Sequence, residues 1–256
     1  MAPLPGTRRV EQVMGMPVIV DVRDDEVDEC AIDEVFAWLR WVDATFSTYK
    51  EDSEISRLDR GELAPESVHP EVRTVLARCE ELRAATGGYF DARARSGVLD
   101  PSGLVKGWSV DRAAAILDRA GARNYAVNAG GDMRLRGRAV PEWSWRVGIQ
   151  HPLERDAVAW VIETGDLAVA TSGEYERGHH VLDPHTGRPP EGILSVTVTG
   201  PDLATADAYA TAAFAMGAVL VQHWTARLRG YEALTILTDG RVLSTPRFPE
   251  AVGAAA

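Results

Sequence analysis

Asp207 and Thr211 stand four residues apart in the stretch ADAYAT (206–211), within a run that follows a helical period. On a helix that spacing puts both side chains on one face, where a carboxylate and a hydroxyl can approach one ion. Oxygen ligands of this kind suit Mg²⁺, which keeps several waters and often completes its shell with substrate phosphates. An early-turn acid stabilised by the helix dipole, beside a packed threonine, would leave the same pattern, so both readings stand at this point. The segment LDPSGLVKG (99–107) opens a second helix. Its glycine and first N–H groups could surround a phosphate, and Lys106 could reach an anion or pair with a nearby acid.

Three more polar segments interrupt the apolar runs. NAGGD (128–132) joins two strand candidates, and its adjacent glycines suit either a plain tight turn or a chain passing close under a ring or phosphate. Thr171, Ser172 and Gly173 end an apolar strand with hydroxyls, as the edge of a cleft would. HHVLDPHTG (179–187) offers two histidines and an acid, but strand alternation sends His179 and His180 to opposite faces. A zinc site there lacks a third ligand at a recognised spacing, and no HExxH is present. Walker A spacing, a GxGxxG fingerprint behind a first strand and a nucleophile elbow are absent as well. The residues point to a phosphate-bearing, nucleotide-sized ligand held through oxygen atoms.

These groups need a scaffold, and the apolar periodicity supplies one. Val13–Val22 reads as a strand with a glycine kink near its start. Asp28–Val42, Pro70–Ala84 and Ser102–Arg119 read as helices, with a short turn capped by Ser53 between the first two. Strands are predicted at 125–128, 133–137, 145–149, 158–163, 167–170, 180–182 and 193–198. Helices follow over Thr205–Gly217 and 219–228, and a hairpin turns across Asp239-Gly240. The elements intermingle without regular strand–helix repeats. The expected fold is therefore α+β, a mostly antiparallel sheet flanked by helices, in one domain over residues 1–256.

A formal charge of −11 argues against non-specific binding to nucleic acid or to an anionic membrane surface. It also means that a phosphorylated ligand needs a local cation, a lysine or oriented N–H groups at its contact. Cys30 and Cys79 both fall in helical patterns and read as buried small hydrophobes. The first residues lack an apolar signal core and no 18-residue apolar stretch follows, which makes a cytoplasmic protein the expectation.

Taken in order, MGMPVIV, FSTYKEDSEISRL, GGYFDA, LDPSGLVKGWSVD, NYAVNAGGD, ATSGEYERGHHVLDPHTG and ADAYATAAFAMG resemble the ApbE family, the FAD:protein FMN transferases, over roughly residues 12–240. The resemblance implies an ApbE-type α+β fold and an enzyme that uses FAD and Mg²⁺. Such an enzyme transfers FMN to a threonine hydroxyl of an acceptor flavoprotein and releases AMP. By position, Met14 would lie against FAD and Tyr49 would pack on its rings, while Phe90 and Asp91 line the nucleotide cleft. Asp100 would contact the nucleotide with Lys106 close by, and Thr171 and Ser172 would line the phosphate region. Asp207, Thr211 and the Gly103 carbonyl would hold the metal. The family's important histidine falls on His180, and either His180 or Asp100 could take the acceptor's proton, with His180 favoured for its near-neutral pKa.

Two departures accompany the likeness. Only RARSGV separates Ala92 from Leu99, where family members carry a longer stretch, so the rim that admits the acceptor is expected to differ. Met16 replaces the usual threonine after the first Met-Gly. Two further functions fit the same residues: Mg²⁺-dependent hydrolysis of FAD to FMN and AMP, and flavin binding without catalysis.

Overall fold

The computed structural model describes residues 5–94, 97–154, 156–173 and 181–252. The chain opens with β1 (Thr7–Val13) and β2 (Met16–Val22), then α1 (Glu29–Phe46), α2 (Glu54–Asp59), α3 (Pro70–Ala85) and α4 (Ser102–Arg119). Six strands follow: β3 (Tyr125–Ala129), β4 (Asp132–Arg136), β5 (Arg138–Val140), β6 (Trp143–Gln150), β7 (Val158–Thr164) and β8 (Leu167–Gly173). β9 (Ile193–Gly200), α5 (Leu203–Ala215), α6 (Gly217–Thr225), β10 (Glu232–Leu237) and β11 (Val242–Ser244) complete it. The fold is α+β, and every strand pairing is antiparallel. Eight strands form the main sheet in the order β1-β2-β3-β4-β8-β9-β10-β11, and β5-β6-β7 form a smaller one.

Strand alternation divides the main sheet into two covered faces. Val18, Val20, Val127, Ala170, Val196 and Val198 point to the helical side, where Ile32, Phe36 and Leu39 of α1, Val110 and Leu117 of α4, and Phe214 of α5 bury against them. Ala126, Leu135, Val169 and Leu234 point the other way, onto Trp145, Val147, Ile149 and Ile162 of the small sheet and onto Phe248. The helices thus occupy one face and the small sheet most of the other. A separate apolar cluster joins the end of α1 to α3, α4 and α5 through Val42, Phe46, Val72, Leu82, Phe90, Leu104 and Ala212.

α5 lies deepest among the helices, because alanines recur along LATADAYATAAFA and let β8, β9 and α4 approach it. Its N-terminal N–H groups are met by carboxylates. Asp202 accepts from Thr205 N at 2.8 Å, and Asp111 of α4 accepts from Leu203 N and Ala204 N at 3.0 and 2.8 Å. Burial raises the Asp111 carboxyl to about 6, opposed by these two backbone hydrogen bonds.

The structure corrects three local expectations. The predicted strand over 13–22 is a hairpin, with Val13 paired to Met16 across a turn whose residues Met14 and Gly15 have φ of 55° and 72°. β1 escapes the apolar pattern because its half-buried side includes Arg9 and Glu11, which ion-pair with Asp33 and Arg40 of α1. Val181 and Leu182 are not strand residues; the chain after them turns through an isolated bridge between Asp183 and Arg188, while His180 lies outside the described residues. Cys79 is buried as expected, but Cys30 in the first turn of α1 faces solvent. Among the described residues no helix is long and apolar enough to cross a membrane.

Candidate active site

A cleft of about 830 Å³ opens where the tip of the β1–β2 hairpin, the end of α1, the start of α4, the end of β8 and the middle of α5 converge. Eleven of the twelve residues singled out from sequence line it: Met14, Tyr49, Phe90, Asp91, Asp100, Gly103, Lys106, Thr171, Ser172, Asp207 and Thr211. The twelfth, His180, lies outside the described residues.

The inner end is set by the crossing of α4 and α5. A Cβ on Gly107 would lie 2.4 Å from the Leu203 carbonyl oxygen, so glycine permits the approach. One turn earlier, a Cβ on Gly103 would sit 3.4 Å from Thr211 Oγ1 and 3.3 Å from the Phe90 ring. Asp207, only 2% exposed, accepts a hydrogen bond from Gly107 N at 3.1 Å through Oδ2. In a regular helix that N–H would be aimed at the Gly103 carbonyl. Burial pushes the Asp207 carboxyl well above the usual range; Lys106 opposes the shift and Asp132 adds to it.

Lys106 reaches inward from α4 between two acids. Its Nζ is 2.6 Å from Asp132 Oδ2 and 3.6 Å from Asp207 Oδ1. Asp132 is the first residue of β4, just beyond the Gly130-Gly131 turn, and its Oδ1 accepts from Thr171 N at 3.0 Å. Thr171 Oγ1 lies 2.9 Å from Thr197 Oγ1, and Ser172 Oγ lies 3.4 Å from Thr211 Oγ1. The Ser172 hydroxyl therefore abuts the acid–hydroxyl pair of α5, while that of Thr171 is engaged with Thr197. In the sequence Asp132 is only the end of a glycine turn, and Gly107 carries no signal of a role. Nothing in their spacing links either residue to Asp207, because the link runs between separate elements.

The outer part is more open. The left-handed φ of Met14, unusual for a side chain of its size, fixes the hairpin tip at the mouth. Tyr49 follows the end of α1 and is 91% exposed, an aromatic face with little protein against it. Phe90 is buried, its N–H held by Thr86 Oγ1 at 2.9 Å. Asp91 and Asp100 cap local turns, accepting from Arg93 N and Ser102 N at 2.8 and 3.0 Å. Beyond them His185 closes a corner, its Nε2 3.1 Å from the Gly87 carbonyl oxygen and its ring 4.6 Å from that of Tyr89.

The described residues contain no cluster of three or more His, Cys, Asp or Glu side chains able to hold a metal. What the inner end offers is the buried Asp207 carboxylate, the Thr211 hydroxyl with Ser172 beside it, and the Gly103 backbone, while the second buried acid, Asp132, is held by Lys106. That donor set is too sparse for Zn²⁺ or Ca²⁺ but fits a hexacoordinate cation that keeps waters and binds substrate phosphates.

Known proteins resemble the chain in sequence and in fold. The ApbE family profile matches residues 14–98 and 92–235. A FAD:protein FMN transferase of Vibrio cholerae is 31% identical over 242 residues, covering 72% of each chain. One from Haemophilus influenzae is 28% identical over 275 residues, covering 80% of this chain and 79% of its own. The solved flavin transferase ApbE from Vibrio cholerae superposes with a TM-score of 0.84 at 25% identity, over 94% of this chain and 97% of the other. The ApbE protein of Thermotoga maritima shares the fold, with a TM-score of 0.82 at 23% identity over 94% and 97% of the two chains. The chain belongs to the ApbE family.

Proposed function

We propose that this cleft takes FAD, cleaves its pyrophosphate with Mg²⁺, and transfers FMN to a threonine hydroxyl of an acceptor flavoprotein, releasing AMP. The observation that carries this reading is the convergence of Asp207, Thr211, Gly103 and Lys106 at the inner end of a cleft whose volume, about 830 Å³, suits a dinucleotide.

Asp207, Thr211 and the Gly103 carbonyl would hold the cation, which supplies charge neutralisation on the pyrophosphate and its leaving group. Lys106 adds a positive charge beside the same phosphates, which an acidic protein needs at this contact. Ser172 and Thr171 present hydroxyls along the phosphate path, and Asp100 orients the nucleotide at the start of α4. Met14, Tyr49 and Phe90 supply apolar surface for the rings, with Asp91 beside them. The acceptor hydroxyl must lose a proton as it attacks; His180 is the favoured base, and Asp100 the alternative.

Incubating the protein with FAD, Mg²⁺ and a candidate acceptor domain, then measuring intact mass, tests this. An FMN-sized gain on the acceptor that disappears with EDTA supports transfer. AMP release without acceptor modification points to FAD hydrolysis instead, and FAD binding without turnover points to a carrier.

A further inference from the structure

The pairing of Lys106 with two buried acids has a chemical cost unless it serves the site. Asp132 is 1% exposed, and its Oδ2 faces the Lys106 ammonium at 2.6 Å. Its other oxygen accepts the Thr171 N–H, a bond that the amide oxygen of asparagine could also accept, though more weakly. β4 and β8 also pair through Met133, Arg134 and Leu135, so their joining does not rest on the Asp132 charge alone. Its counterpart is Lys106, and the same ammonium stands 3.6 Å from Asp207 Oδ1, the oxygen not engaged by Gly107 N. A cation arriving at Asp207 must compete with that ammonium, because two positive charges beside one carboxylate oxygen repel each other strongly at low dielectric.

We propose that Asp132 is a positioning residue that draws the Lys106 ammonium to its own side, so that it stands at 3.6 Å from Asp207 rather than in closer contact and yields the inward carboxylate to a divalent cation. This rests on the reading of Asp207 as the metal acid. Without the Asp132 charge, Asp207 is the buried anion among the described residues that the Lys106 ammonium still faces, and the ammonium closes on it. Asp132 thus acts through Lys106: it sets cation affinity, and leaves the lysine near enough to meet a phosphate once the cation is in place. The Thr171 N–H bond fixes the rotation of the Asp132 carboxylate and so the position at which the ammonium rests.

The test is a double-mutant cycle read by Mn²⁺ binding to the protein alone, followed by loss of the free-ion electron paramagnetic signal. Asp132→Asn is expected to weaken Mn²⁺ binding about tenfold where Lys106 is present, and by less than about threefold in a Lys106→Met background. Melting temperature identifies any variant that has lost its fold, and Asp132→Glu, which retains the charge, is expected to recover most of the affinity. An equal loss in both backgrounds would show a simple charge or packing effect and overturn the proposal. Asp207→Ala separates the two levels. If it abolishes Mn²⁺ binding while the cycle is additive, only the Asp132 inference fails; if it binds Mn²⁺ like the parent chain, the reading of the metal acid fails with it.

Discussion

At the inner end of the cleft a methyl group on Gly107 would press within 2.4 Å of a backbone oxygen, while at the mouth nothing lies within 4 Å of the same group placed on Gly15. The inner end is made of helix interiors and strand ends, with Asp207, Asp132 and Thr197 almost wholly buried; the mouth is a hairpin tip and a post-helical turn, with Tyr49 exposed. Groups that must be held to fractions of an ångström lie on elements that cannot shift without disturbing the core. Groups that need only present apolar surface to a ring lie where the chain can yield. Changes at the two ends should therefore fail in different ways.

The sharpest contrast is expected from Asp207→Ala, which should reduce Mg²⁺-dependent AMP release by more than about 100-fold, beyond the usual cost of losing an outer-shell partner of a metal. A rate equal to that of the parent chain would remove the inner end's claim to the chemistry. Next comes Gly107→Ala. Its Cβ would meet backbone rather than a yielding side chain, so unfolding free energy in urea should fall by about 1–3 kcal/mol or more. An unchanged midpoint would mean that the α4–α5 crossing is looser than its geometry implies.

Gly103→Ala divides stability from function within a single turn of α4. The new methyl would meet Phe90 and Thr211 Oγ1 at 3.3–3.4 Å, tight but not prohibitive, and alanine favours helix by up to about 1 kcal/mol. The melting temperature should hold or rise while Mn²⁺ affinity drops about tenfold, since small displacements of donor groups are costly. The mildest effect is expected at the mouth. Tyr49→Ala should raise KM for FAD by about 2–10-fold, the worth of one aromatic contact, with kcat and thermal stability unchanged. A large loss of kcat there would erase the distinction between the two ends.

The elements around both ends were legible to different degrees. α3 and α4 announce themselves by apolar periodicity and Pro70, and stand within a residue or two of where the periodicity puts them. Ser53 caps α2 as expected, but that helix runs on to Asp59, beyond the short turn over Glu54 and Ile55. β1 was not legible because Arg9 and Glu11 meet α1 by ion pairing where an apolar pattern would call for aliphatic residues. Helical spacing links Asp207 to Thr211, but it cannot link Lys106 to Asp132, which belong to a helix and a strand that meet only in the folded chain. Gly107 was hidden for the same reason: its neighbour is Leu203, brought near by the crossing of two helices.

The hydrogen bond from Gly107 N to Asp207 joins residues 100 positions apart. A chain emerging from the ribosome as far as β9 carries Lys106 and Asp132 but neither Asp207 nor Thr211. Under the proposed function, a nascent or truncated product ending there has no acid with which to seat the cation, and the cellular flavin dinucleotide pool is safe from it. Competence arrives in one step, when the last helices dock.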